Sequence, residues 1–165
     1  MKNQFSVLLK TVLGAVAVVV LLFGGIALSA ANQARQARFS VDALEQYWQA
    51  YKLVEEKSIE RLSELPDFHL VSPSTGLSLE SKNLKRGVTG GYVYDLQYLE
   101  NDKFVISASP VGIFSMYEFG ITDKGILRVN YKNVDAQADS YDEVEKWPII
   151  SREEKIRTKD FPVYQ

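Results

Sequence analysis

Apolar and polar positions along the chain follow three successive rhythms. Thr11 to Ala34 carries no charge, and Val12 to Ala31 is almost wholly apolar. A helix over those 24 residues would extend about 36 Å against a hydrocarbon core of about 30 Å. The pattern predicts a transmembrane helix at 11–34, preceded by a short segment at 1–10. From Arg35 the period turns helical and amphipathic: Ala37, Val41, Leu44, Trp48 and Tyr51 recur at spacings of four and three, with Val54, Leu62 and Leu65 continuing less regularly. Glu45, Lys52, Glu55, Glu56, Glu60 and Arg61 fall opposite and read as a solvent face. Neither proline nor glycine interrupts the chain between Gly25 and Pro66, so the membrane helix is expected to run straight into the soluble domain and to stop at Pro66.

Asp67 to Gly91, rich in Ser, Gly, Thr and Asn, reads as a connecting loop with room for one short element. The period then changes to two. Tyr92, Tyr94, Leu96 and Tyr98 share one face of a strand, opposite Asp95 and Gln97, and Glu100-Asn101-Asp102 supplies a turn. Phe104, Ile106 and Ala108 alternate with Val105 and Ser107 in a second strand that Pro110 and Gly112 end. A third, Met116 to Thr122, places Tyr117, Phe119 and Ile121 on one face, and Asp123-Lys124-Gly125 turns into a fourth, Ile126 to Tyr131. The fold class is therefore α+β: an N-terminal transmembrane helix continuing into a long amphipathic helix packed on a four-stranded antiparallel meander, with an extended C-terminal tail. The domain occupies 35–131 and the tail 132–165. Two apolar islands stand out in the tail, Trp147-Pro148-Ile149-Ile150 and Phe161-Pro162-Val163-Tyr164.

Gly91-Tyr92, then Phe104, Ala108-Ser109-Pro110, and Phe119-Gly120-Ile121-Thr122-Asp123-Lys124-Gly125-Ile126-Leu127-Arg128 resemble the closing strands of type IV pilins and type II secretion pseudopilins. Over about 40 residues the spacing is similar to that family's G-Y, A-x-P and F-x-x-x-x-x-G-x-x-R. The resemblance implies a long helix laid on an antiparallel sheet. The amino terminus departs from the family: Phe5-Ser6-Val7-Leu8-Leu9-Lys10 has no glycine at the junction and a lysine where pilins carry glutamate. By this resemblance the chain is a pilin-like domain outside the processing and polymerisation pathway.

Composition narrows the chemistry. Cysteine is absent, which removes disulfides, thiolate nucleophiles and thiolate metal sites. His69 is the one histidine, too few for a multi-histidine metal site. It reads as a surface group past Pro66. Net charge is −2 and spread along the chain, without the basic stripe that nucleic acid requires. Glu55-Glu56 and Glu153-Glu154 are adjacent, and neighbours in sequence do not face each other on a helix. Thr89-Gly90-Gly91 precedes a strand, so it is a turn and not a phosphate loop. No catalytic residue, cofactor, metal or small-molecule substrate is expected.

The expected role is that of a non-enzymatic, single-pass accessory subunit of a larger membrane protein complex. Its N-terminus would be cytoplasmic and its domain periplasmic, because the first flank is short and the second carries the whole domain. Ser29-Ala30-Ala31 offers a rival reading as a signal cleavage point, but the apolar run exceeds the about 7–15 residues of a signal core. Trp147, Ile149, Ile150, Phe161 and Tyr164 are the candidate partner-binding residues, as large apolar groups costly to leave in water. Gly14, Gly24, Gly25, Ala27 and Ala31 are candidates for close approach of another membrane helix. Alternatives are a minor pilin or pseudopilin, and a small periplasmic enzyme.

Overall fold

In the computed structural model, residues 2–111, 116–131 and 140–150 are described, with side chains from Gly24 onward. Helix α1 (Lys2–Glu55) leads into a 3₁₀ turn (Leu62–Glu64), the hairpin β1 (His69–Val71) and β2 (Ser78–Glu80), and one turn of helix, α2 (Ser81–Leu84). Strands β3 (Val88–Thr89), β4 (Tyr92–Tyr98), β5 (Phe104–Pro110), β6 (Tyr117–Thr122) and β7 (Arg128–Tyr131) follow, then the short α3 (Tyr141–Val144). The five strands form one antiparallel sheet in sequence order, and β1–β2 pair separately.

The alternation read from the sequence appears as burial. Tyr92, Tyr94 and Leu96 of β4 are buried and Val93 and Asp95 are not. Across from them Phe104, Ile106, Ala108, Phe119 and Ile121 complete the sheet face beneath α1. Trp48 of α1 lies 4.2 Å from the Phe104 ring, centroid to centroid. On the other side of α1, Tyr47 meets Phe68 at 4.2 Å and Gln36 donates to the Ser78 carbonyl at 2.6 Å. The helix is thus the middle of three layers, with the five-stranded sheet below and the 67–84 segment above.

Several sequence expectations are overturned here. Among the described residues no helix is long and apolar enough to cross a membrane. The predicted transmembrane helix at 11–34 fails on its described part, where Ser29, Asn32 and Gln33 break the apolar run; Thr11 to Phe23 lie outside the described side chains. The sheet has five strands instead of four, because Val88–Thr89 pairs with Tyr92–Val93 across Gly90 and Gly91. Both glycines have positive φ, 59° and 78°, which a two-residue hairpin turn of this hand requires.

The helix ends at Glu55 and not at Pro66. Glu56 turns left-handed at φ 54°, and the chain doubles back so that the Trp48 indole donates to the Ile59 carbonyl at 2.9 Å. Ile59, Leu62 and Leu65 thereby reach the core, which a continuing helix would have carried away from it. The supposed solvent face is also partly internal: Glu45 is buried. Lastly, the described part of the tail is not extended but folds back on the sheet.

Candidate interaction surface

The tail's return is built from small, specific pieces. At α3, Glu143 and Val144 donate their amides to the Ser140 carbonyl, and Asp142 and Glu143 stand in the first turn. Val144 and Trp147 then pack on Val105 of β5 as a second cluster, on the sheet face away from α1. Gly120 of β6 makes room for them: a Cβ there would sit 2.7 Å from Val144 Cγ1 and 3.0 Å from the Trp147 ring. A strand glycine at such a close approach is a packing device.

Charge fastens the same contact. Glu145 accepts from Thr122 Oγ1 at 2.5 Å and pairs with Lys124, with Arg128 at 3.6 Å. Burial pushes the Glu145 carboxyl up, yet hydrogen bonds from Lys124 and Thr122 and the charges of Arg128 and Lys124 outweigh it and leave the group below the usual glutamate value. Arg128 also donates to the Trp147 carbonyl at 2.9 Å. Nearby, burial and a hydrogen bond with Asp123 push the Tyr141 phenol up to about 12. Beyond Trp147 the chain runs beside β7: Val129 donates to the Pro148 carbonyl at 2.9 Å and Ile150 to the Leu127 carbonyl at 3.0 Å.

The five candidate tail residues therefore separate. Trp147 is 6% exposed and covered by its own domain, and Ile150 packs against the main core. Ile149, between them, points outward at 64% exposure. Phe161 and Tyr164 lie outside the described residues, as do Glu153 and Glu154. Of the small residues proposed for helix contact, Gly24, Gly25, Ala27 and Ala31 are exposed and a Cβ at either glycine would meet nothing within 4 Å. The side-chain environment of Gly14 lies outside the described residues. His69 is exposed on β1, opposite Glu80.

Other polar side chains tie elements together. Lys52 near the end of α1 pairs with Asp102 at 2.8 Å, and Tyr98 donates to the same carboxylate at 2.8 Å. Hydrogen bonds from Lys52 and Tyr98 hold Asp102 below the ordinary aspartate value. Lys85 pairs with Asp67 at 2.8 Å, and Asn130 donates to Glu118, fully buried on β6, at 3.1 Å. Among the described residues, no group of three or more His, Cys, Asp or Glu side chains could hold a metal ion.

The domain's exposed surface includes large apolar side chains. Tyr117 and Tyr131, the first residue of β6 and the last of β7, stand edge to face at 5.8 Å, and the Tyr131 phenol donates to Met116 Sδ at 2.7 Å. All three are exposed, as are Leu53 and Val54 at the far end of α1. Sequence periodicity placed Tyr117 on the buried face with Phe119 and Ile121. The signal for the exposed pair lay in position: Tyr117 is the first residue of β6 and Tyr131 the last of β7. No family model, curated protein or solved structure matches this chain.

Proposed function

We propose that the chain is a non-enzymatic accessory subunit of a larger assembly of membrane proteins, with its domain on the extracytoplasmic side and its exposed apolar residues as contacts. One observation carries this reading. Ion pairs and hydrogen bonds such as those of Glu145 with Thr122, Lys124 and Arg128 join elements of the domain, and its exposed side chains include the large apolar groups Ile149, Tyr117, Tyr131, Met116 and Leu53. Large apolar groups in water favour burial against another surface. Membrane association rests on the sequence alone, where Thr11 to Ala34 carries no charge, and not on a membrane span, since among the described residues no helix is long and apolar enough to cross a membrane.

The test is affinity capture of the tagged full chain from native membranes solubilised in mild detergent. Stoichiometric recovery of integral membrane proteins is expected. Recovery of the chain alone, or only of copies of itself, overturns the assignment.

A second reading has a specific observation in its favour. A single uninterrupted helix, Lys2–Glu55, lies with its C-terminal part on an antiparallel sheet, the arrangement that the pilin resemblance implies. A minor pilin or pseudopilin would be recovered in extracellular fibres or with a secretion apparatus, and its mature mass would lack a leader.

A further inference from the structure

The row of exposed residues Val111, Met116, Tyr117 and Tyr131 lies at one end of the sheet, and three contacts say which end. Val111 donates its amide to the Gly91 carbonyl at 2.8 Å, and the Tyr92 phenol donates to the Tyr117 carbonyl at 3.0 Å. Tyr117 pairs with Tyr131 across β6 and β7. Gly91 itself packs so closely on α1 that a Cβ there would lie 2.8 Å from Gln33 Oε1. The row therefore stands level with Gln33, where α1 enters the domain. From Gln33 backward the helix exposes Ala31, Leu28 and Ile26, and its sequence continues without charge to Thr11.

We infer that this end of the domain rests in the headgroup layer of a phospholipid bilayer, with Tyr117, Tyr131, Met116 and Val111 as its contact side chains. The inference rests on the membrane association proposed above. Tyrosine suits this place because its ring is apolar and its phenol polar, which matches the graded boundary between acyl chains and water. Tyr117 is 49% exposed and Tyr131 61%, so neither is required by the domain's own core. Arg35 is exposed two residues along α1 from Gln33, within about 3 Å of rise, and can meet lipid phosphate. Lipid is favoured over a protein partner by continuity, since the helix bearing the apolar sequence leaves the domain beside this row.

The chain has no cysteine, so a single one can be introduced and labelled with an environment-sensitive fluorophore. Full-length Tyr117→Cys, Tyr131→Cys and, as control, Leu53→Cys are mixed with phosphatidylcholine–phosphatidylglycerol vesicles carrying a nitroxide quencher at the headgroup. Leu53 is 20 residues along α1 from Gln33, about 30 Å away and beyond contact quenching. Flotation first establishes that each labelled chain binds vesicles, and far-UV melting that each is folded. Emission at 117 and 131 should shift to the blue and fall by about half, as expected for groups seated at the interface, with the signal at 53 unchanged. If the chains float but positions 117 and 131 behave as 53 does, the lipid assignment is overturned and membrane association stands. If the chains do not float, membrane association fails and this inference fails with it.

Discussion

Gly120 is where β6 passes beneath Val144 and the Trp147 ring, and the missing side chain is what lets α3 lie flat on the sheet. Replacing it with alanine reduces the freedom of the unfolded chain, which by itself would stabilise by about 0.4–1 kcal/mol. Against that stands a contact of 2.7 Å with Val144 Cγ1 that forces the Val144 side chain or α3 to shift, an overpacking cost of about 1–3 kcal/mol. Net destabilisation of Gly120→Ala is therefore expected in denaturant unfolding, with part of it recovered in the Gly120→Ala, Val144→Ala double variant. Glu145 makes the same contact sensitive to pH. Its folded carboxyl titrates below the unfolded one, so its contribution is fully present above the unfolded glutamate value of about 4.3 and is lost as pH falls through the folded value. Thermal midpoints of the native chain and Glu145→Gln should differ at pH 7 and converge toward pH 3. Tyr94 has the opposite sense at the alkaline end: burial pushes its phenol up to about 12, despite a Ser40 hydrogen bond. Its contribution is whole below about pH 10 and declines above it.

At the scale of elements, the tail emerges as part of the domain. Val144 and Trp147 cover Val105, and Pro148 to Ile150 pair with β7, which would otherwise offer a free edge to other chains. Trp147→Ala should cost about 3–5 kcal/mol in chemical unfolding, as expected for a large buried aromatic. Truncation at Asp139 should lower the thermal midpoint further and promote aggregation through the bared edge; an unchanged midpoint would show that the tail is dispensable to the fold. This contact also shows where reading by pattern stops. The faces of β4 and the core stripe of α1 were legible, because period two and period 3.6 are properties of the chain itself. Whether Trp147 fills a partner's pocket or its own sheet depends on what lies across from it, and Gly120 was the local sign, a glycine inside a strand. The stop at Glu55 had no such sign. Nothing from Glu56 to Leu65 breaks a helix, and the reversal comes from burying Ile59, Leu62 and Leu65 and from the Trp48 indole bonding to Ile59. Glu45 was misread because α1 is buried at most positions from Ala37 to Ala50, which a single apolar stripe does not show. Of the candidate partner residues, the sequence marked Ile149 but also Trp147 and Ile150, which share its composition and not its exposure.

For the whole molecule, a helix buried between two layers gives a domain with its own interior and with large apolar side chains exposed at both ends. One end carries Tyr117 and Tyr131 beside the entry of α1, and the other carries Leu53 and Val54 at its exit. The edge strand β3 is only two residues long and β7 is paired with the tail, so sheet extension is a poor route to assembly and side-chain contact the better one. Ile149 sits on that closed edge as the large apolar side chain the described tail leaves in water. Photo-crosslinking in intact cells, with a benzophenone amino acid placed at position 149 and separately at 53, interrogates membership of a membrane assembly without detergent. A discrete adduct with an integral membrane protein of different sequence is expected from at least one position. Folded chain at native abundance that yields no adduct at either position, or only adducts with itself, would contradict the assignment as an accessory subunit.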